Sequence, residues 1–92
     1  MEHIISEVQI IPSKPRDGLV AFANFTYNNA FFFSGIGIYT RPQGGYRLTY
    51  PNRKRGEENV SVFHPINAEM GKLIEDKIIE KYESLMFSEE EF

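Results

Sequence analysis

The segment HPINAEMGKLIEDKIIEKYESLM, residues 64–86, carries a clear helical pattern near the end of the chain. Its apolar side chains recur at spacings of three and four residues, which places them on one face of an α-helix. Asn67 is a suitable N-cap, Glu69 adds an acid to the first turn, and Pro65 prevents an earlier start. We predict a helix of about 18 residues from this cap. Its buried face is predicted to contain Met70, Leu73, Ile74, Ile78, Tyr82 and Leu85.

The chain before this helix is typical of strands joined by turns. Runs rich in β-branched and aromatic residues alternate with clusters of Gly, Pro, Asn and Asp. We expect the first strand to end at Pro12, and a turn at residues 14–18. Gly35 and Gly37 interrupt the third strand, where a glycine usually marks a bulge or a close backbone approach. The predicted strands are residues 4–11, 19–26, 30–40, 46–50 and 60–63.

Together these elements predict an α+β fold. The strands form an antiparallel meander of about four or five strands, and one long C-terminal helix closes the sheet. The chain has 92 residues, which fits a single domain over residues 1–92 with an acidic tail at about residues 88–92. A domain of this size has a thin core, so we expect a homodimer in which Phe31-Phe32-Phe33 adds apolar contact.

Composition narrows the class of protein. The chain has no cysteine, which excludes disulfides and thiolate chemistry. No apolar run approaches the roughly 20 residues of a membrane span, and Met1-Glu2-His3 carries no signal-peptide pattern. We therefore expect a soluble cytoplasmic protein that makes no membrane contact.

Charge is divided unevenly along the chain, whose formal net charge is −3. Residues 1–56 hold seven Lys and Arg against three acids, whereas residues 57–92 hold three lysines against ten acids. A basic binding face combined with an acidic tail would give this asymmetry. Charges on an ordinary solvated surface would give the same counts, so composition leaves both interpretations open.

Few residues could carry catalysis or hold a metal. The two histidines, His3 and His64, do not sit at metal-ligand spacing. No serine has the context of a nucleophile elbow, and no helix follows Gly35-Ile36-Gly37 as it would follow a dinucleotide-binding loop. We predict no enzyme activity, no catalytic residue, no metal site and no cofactor. A structural role at the start of the helix is assigned to His64, Pro65, Ile66 and Asn67.

The most informative polar stretch is Tyr50-Pro51-Asn52-Arg53-Lys54-Arg55-Gly56. We predict that its three cations lie in a basic loop after the fourth strand. Cations neutralise phosphates, and tyrosine rings such as those of Tyr46 and Tyr50 can stack on bases. A hydrated turn balanced by the two acids that follow is the alternative. The candidate nucleic-acid-binding residues are Arg41, Arg47, Arg53, Lys54 and Arg55.

Several segments together resemble the SpoVG (septation protein G) family. The most specific is His64-Pro65-Ile66-Asn67, which is similar to the opening of the family's C-terminal helix. The Pro51-Asn52-Arg53-Lys54 segment resembles the family's pattern of a strand that ends in Pro, a small polar residue and two cations. The other matching segments are Val8–Ile11, Gly18–Ala23, Phe33–Tyr39, Gly71–Ile74 and Tyr82, so that the resemblance extends to about residue 86.

The resemblance implies a bacterial regulatory protein that binds DNA, or RNA, and it associates the chain with septation. By this resemblance the basic pair used for binding is Arg53 and Lys54, with Arg55 beside it. A second hypothesis from another class is a protein-interaction module that uses the acidic face of the helix and the acidic tail. The observation that discriminates between them is whether the five candidate cations converge on one face.

Overall fold

Six strands and one helix make up the computed structural model, which describes residues 2–87. Strands β1 to β4 form one antiparallel sheet in chain order, and β5 and β6 form a separate two-stranded hairpin. This confirms the α+β meander with a C-terminal helix. The predicted acidic tail at residues 88–92 lies outside the described residues. The elements are β1 (Ile5–Arg16), β2 (Leu19–Tyr27), β3 (Phe31–Thr40), β4 (Tyr46–Thr49), β5 (Asn52–Arg55), β6 (Glu58–Ser61) and α1 (Ala68–Phe87).

Tight turns connect the first three strands. Asp17 and Gly18 join β1 to β2 with φ angles of 55° and 92°, and an Asp-Gly pair with two positive φ angles is typical of a type I′ hairpin turn. Asn28 and Asn29 begin the turn to β3 with φ angles of 52° and 54°, a conformation that asparagine tolerates better than most residues. The first turn therefore needs only two residues.

Strand β1 continues past Pro12, so the predicted end of this strand is wrong. Pro12 pairs with Ala21 of β2, and the strand runs through Pro15 to Arg16 with a register shift on the way. β1 is the outer strand of the sheet. Every second N–H of an edge strand points away from the sheet, and a proline there removes no ladder hydrogen bond.

Both glycines of β3 have the roles that the sequence predicts. Gly35 has a φ of 83° and lies where the register between β2 and β3 shifts, which marks a bulge. A Cβ on Gly37 would lie 2.6 Å from Oγ1 of Thr49. The Thr49 side chain would have to shift if residue 37 had a side chain.

The core lies between the sheet and α1. Central strand β2 contributes the fully buried small side chains of Ala21 and Ala23, and β3 contributes Ile36 and Ile38. The helix contributes three buried residues to the same cluster, of which Ile78 is fully buried. The small side chains on β2 leave room for the helix to pack closely on the sheet.

The helix begins and packs largely as predicted. Oδ1 of Asn67 accepts a hydrogen bond from the Met70 N–H at 2.8 Å, which confirms the N-cap. Leu85, however, is 46 % exposed, so its predicted burial is wrong: the apolar spacing continues for one turn beyond the surface that the sheet covers. Among residues 2–87, no helix is both long and apolar enough to cross a membrane.

Tyr50 follows β4 and is half-buried. Its ring packs edge-on against Phe63, with the ring centroids 5.9 Å apart. Burial, together with the nearby Glu75 carboxylate, raises the pKa of Tyr50 to about 12 from its ordinary 10.0. The folded chain therefore favours the neutral phenol.

Replacing Ile78 with Ala should lower the free energy of unfolding by about 2–4 kcal/mol, because a fully buried aliphatic side chain is lost and a cavity remains. Urea unfolding followed by circular dichroism measures this loss. Met86→Ala is the matched control, since Met86 is an exposed apolar residue of the same helix, and it should change the free energy by less than about 0.5 kcal/mol. Equal losses in the two variants would show that α1 does not bury this face.

Stability should fall in alkaline solution partly through Tyr50. Its pKa is higher in the folded than in the unfolded chain, so its contribution is complete below pH 10 and is lost as the pH rises towards about 12. Tyr50→Phe keeps the ring but cannot ionise. The unfolding free energy of this variant should therefore decrease less than that of the parent between pH 10 and 12. Parallel pH profiles of the two proteins would contradict the role given to Tyr50.

Candidate nucleic-acid interface

The three consecutive cations Arg53, Lys54 and Arg55 lie in strand β5, so the predicted basic loop is wrong. Residues Asn52–Arg55 pair with Glu58–Ser61 across a two-residue turn. Gly56 takes a φ of 66° at the first turn position, where glycine is favoured in a type II′ hairpin turn. All four residues of β5 are exposed. Because the strand has no buried face, its sequence lacks the apolar alternation by which strands are predicted.

Strand alternation divides these cations between the two faces of the hairpin. Arg53 and Arg55 lie on one face with their register partners Val60 and Glu58, and Lys54 lies on the other face. Within residues 2–87 the only ion pair joins Lys72 to Asp76 at 3.2 Å in α1. The hairpin cations therefore reach solvent without a carboxylate held against them.

The other two candidate cations lie on either side of the turn between β3 and β4, Arg41 directly after β3 and Arg47 within β4. The Arg47 guanidinium lies 4.7 Å from the centre of the Tyr39 ring, a cation–π contact between register partners. The Arg41 N–H donates to the Gly45 carbonyl at 3.0 Å and closes the turn. Both arginines line a cleft of about 260 Å³ together with Tyr50 and Glu75.

The five cations thus form two groups and not a single cluster. Arg41 and Arg47 belong to the end of the sheet, whereas the other three belong to the hairpin. Arg53 follows Arg47 by six positions, so even an extended chain would place their Cα atoms at most about 22 Å apart. Phosphates follow one another at about 3.4 Å along each strand of a duplex. One nucleic acid of modest length could therefore reach both groups.

The two tyrosines considered for base stacking serve the packing of the domain. Tyr46 makes an edge-on contact with Tyr82 of α1, with centroids 5.3 Å apart. Burial, then the carboxylate of Glu83, raises the pKa of Tyr46. Both rings are only partly exposed.

A chain of aromatic rings joins the base of the hairpin to the sheet. Ring centroids lie 5.4 Å apart for Phe25 and Phe33, 4.8 Å for Phe33 and Phe63, and 5.9 Å for Phe63 and Tyr50. Tyr50 and Phe63 flank the hairpin, whose base is closed by a 2.9 Å hydrogen bond from Val62 N–H to the Pro51 carbonyl. Sequence reasoning did not single out Phe63. The signal that could have identified it is an aromatic residue on each side of an otherwise polar segment.

The structural residues at the start of the helix connect it to the hairpin. Nδ1 of His64 lies 2.8 Å from Oγ of Ser61, the last residue of β6. Pro65 packs near Gly71, where an added Cβ would meet Pro65 Cγ at 3.6 Å. Ile66 is 88 % exposed. In the part of the chain from residue 2 to 87, no group of three or more His, Asp or Glu side chains is placed to hold a metal ion.

Comparison with known proteins agrees with the resemblance seen in the sequence. The family model for SpoVG matches residues 3–84. The "Putative septation protein SpoVG" of Caldicellulosiruptor saccharolyticus is 31 % identical over 83 residues, which cover 89 % of this chain and 93 % of that protein. Proteins of the same name from Acetivibrio thermocellus and Clostridioides difficile are 32 % and 29 % identical, over 88 % and 85 % of this chain and 86 % and 85 % of their own. The chain therefore belongs to the SpoVG family.

Proposed function

We propose that this protein is a regulator that binds DNA, or RNA, through its phosphates and does not act as an enzyme. The observation that carries the proposal is hairpin β5–β6, which exposes Arg53, Lys54 and Arg55 without an ion pair among residues 2–87. Arginine and lysine side chains neutralise phosphates and release condensed counterions. Arg41 and Arg47 supply a second region of contact. The name of the relatives supports a connection with septation.

The shape of the hairpin supports the same function. A two-stranded β-ribbon is one of the two elements that the major groove of B-DNA admits. The ribbon presents Arg53 and Arg55 on one face and Lys54 on the other. When the face with the two arginines is turned towards the DNA, both can contact phosphates, and Lys54 faces away.

Two features keep the affinity modest. The chain has a net charge of −3, which repels a polyanion at long range. Glu58 lies directly opposite Arg55 in the hairpin register and offsets part of its charge. We therefore expect dissociation constants of about 1 µM at low salt unless base contacts add to the phosphate contacts.

The alternative is an interaction module that uses the acidic helix face and tail, and the division of the five cations into two groups counts in its favour. The charge of the helix face counts against it. Helix α1 carries five acids and three lysines, and Lys72 pairs with Asp76 at 3.2 Å. Its exposed face is therefore of mixed sign and only mildly acidic. The acidic tail at residues 88–92 lies outside the described residues.

We also propose that the protein is a homodimer. Phe31 and Phe32 are 61 % and 62 % exposed at the start of β3, whereas Phe33 packs against Phe25 and Phe63. The Phe31 ring stacks on Phe33 with centroids 6.0 Å apart, and Phe32, the next residue of the strand, points to the opposite face of the sheet. Each is an exposed apolar ring that a second copy could cover. A dimer would present two hairpins to the same nucleic acid.

Replacing Arg53, Lys54 and Arg55 with Ala should abolish binding to a duplex oligonucleotide and leave the melting temperature unchanged, because the three side chains are exposed. Fluorescence anisotropy titrations at several salt concentrations measure the effect. For the parent, the log–log slope should be about −0.9 per phosphate neutralised, or about −4 to −5 for a dimer that contacts four to six phosphates.

The matched control replaces Lys72, Lys77 and Lys81 of α1 with Ala, which removes the same charge from another surface. This control should retain most of the binding. An equal loss in the two triple variants would show that net charge, and not the hairpin, governs the affinity. A parent protein that binds nothing at low salt would favour the interaction module.

Sedimentation should show a dimer at protein concentrations in the tens of micromolar. Replacing both Phe31 and Phe32 with Ser should shift the protein towards the monomer mass of 10.7 kDa, because the exposed apolar contact is removed. Ile11→Ser, at a 49 % exposed position of β1, is a control that should leave the dimer intact. A monomeric parent would rule out the proposed dimer.

A further inference from the structure

A cavity of about 300 Å³ opens between the sheet, the base of the hairpin and the start of α1. This volume is at the lower end of the range for small-ligand sites. Three phenylalanines and two tyrosines contribute to its walls, and helix residues Met70 and Ile74 complete the apolar part. The aromatic residues are Phe25, Tyr27, Phe33, Tyr50 and Phe63.

The polar residues of the lining leave hydrogen-bonding groups available. Nδ1 of His3 lies 2.7 Å from the Tyr27 hydroxyl, and Nδ1 of His64 lies 2.8 Å from Oγ of Ser61. Neither imidazole uses its Nε2 in a hydrogen bond with residues 2–87. Asn67 uses Oδ1 as the helix cap and keeps its NH₂ group. The lining therefore combines aromatic faces with donors and acceptors that could meet the polar edge of a planar ring.

The lining of the cavity is polar at one end and carries no acidic residue among residues 2–87, although burial raises the pKa of the lining residue Tyr50 and the Glu75 carboxylate lies close enough to raise it further. The N-terminus of α1 begins at the lining residue Asn67, and a helix N-terminus carries a partial positive charge. Tyr50 and Phe63 belong both to the lining and to the base of the cationic hairpin. A long ligand bound in the cavity could therefore extend along the surface of the hairpin.

We propose that the cavity receives one unpaired base of a single-stranded nucleic acid whose backbone runs along hairpin β5–β6. The proposal rests on the proposed function. It adds a contact with a base to the contacts with phosphates. Arg53 follows Tyr50 by three positions, or about 10 Å at the rise of a strand. A base stacked near Tyr50 and Phe63 can therefore have its neighbouring phosphates beside the cations.

The lining contains both aromatic rings and hydrogen-bonding groups. This combination fits a nucleic-acid base better than it fits an aliphatic side chain. Aromatic rings stack on any base, since every base has a π face. The imidazole Nε2 atoms and the Asn67 amide would in addition meet its hydrogen-bonding edge. An aliphatic side chain of a second copy of this chain would use only the apolar walls.

The test compares two labelled single strands with equal numbers of phosphates, one with normal bases and one built from abasic sites. Parent protein should bind the base-bearing strand roughly 5- to 150-fold more tightly, the range expected for one stacked base. Phe63→Leu removes one ring from the wall and should bring this ratio towards one, with the salt dependence unchanged. Phe22→Leu removes a partly exposed ring that does not line the cavity and should preserve the ratio.

Phe63 also packs on Phe33, so Phe63→Leu could disturb the fold. A second variant at an exposed position avoids this problem. His64 is exposed, and His64→Ala should lower the ratio without loss of the fold. Equal affinity of the parent for both strands would overturn the cavity proposal and leave phosphate binding standing. If neither single strand binds but a duplex oligonucleotide does, only the cavity proposal fails. If the duplex does not bind either, the proposed function fails as well. Equal affinity, combined with a shift of Phe63→Leu towards the monomer, would assign the cavity to a second copy of the chain.

Discussion

The packing of one helix on the small side chains of β2 is the constraint on which the rest of the structure depends. Ala21, Ala23 and Ile78 are fully buried in one cluster, which contains every buried apolar residue among residues 2–87. The Asn67 cap fixes where the helix begins. That start lies beside the hairpin base, so the same packing forms the aromatic cavity and positions the cationic ribbon.

The features predicted correctly from the sequence depend on residues that are close together in the chain. The apolar repeat of the helix and its cap are set by neighbours within a few residues. The close contact of Thr49 with Gly37 is predicted by a glycine inside an apolar run. The wrong predictions, the end of β1 at Pro12 and the burial of Leu85, depend on how distant parts of the chain pack together. Pro12 is compatible with a strand only because β1 is an edge. The apolar spacing of α1 continues through Leu85, but it does not indicate where the sheet surface ends.

The candidate site was predictable to a similar extent. The cations could be identified from the sequence alone. Their division between two faces became known only from the register of β5 against β6. A hairpin without a buried face gives no periodic apolar pattern, so the segment resembled a loop. The cavity was beyond prediction, because His3, Phe33, Phe63 and Met70 come together from distant parts of the chain. The resemblance to a family identifies the fold but not this arrangement.

The prolines of β1 have a consequence for how copies of the protein can associate. An outer strand of 12 residues offers a long row of backbone groups on which another chain could add a strand and begin a fibre. Pro12 and Pro15 interrupt that row, and Glu7, with a φ of 51°, distorts it near its start. β4 at the opposite edge is only four residues long. Both edges of the sheet are therefore poor templates for open-ended growth, which favours closed association through side chains.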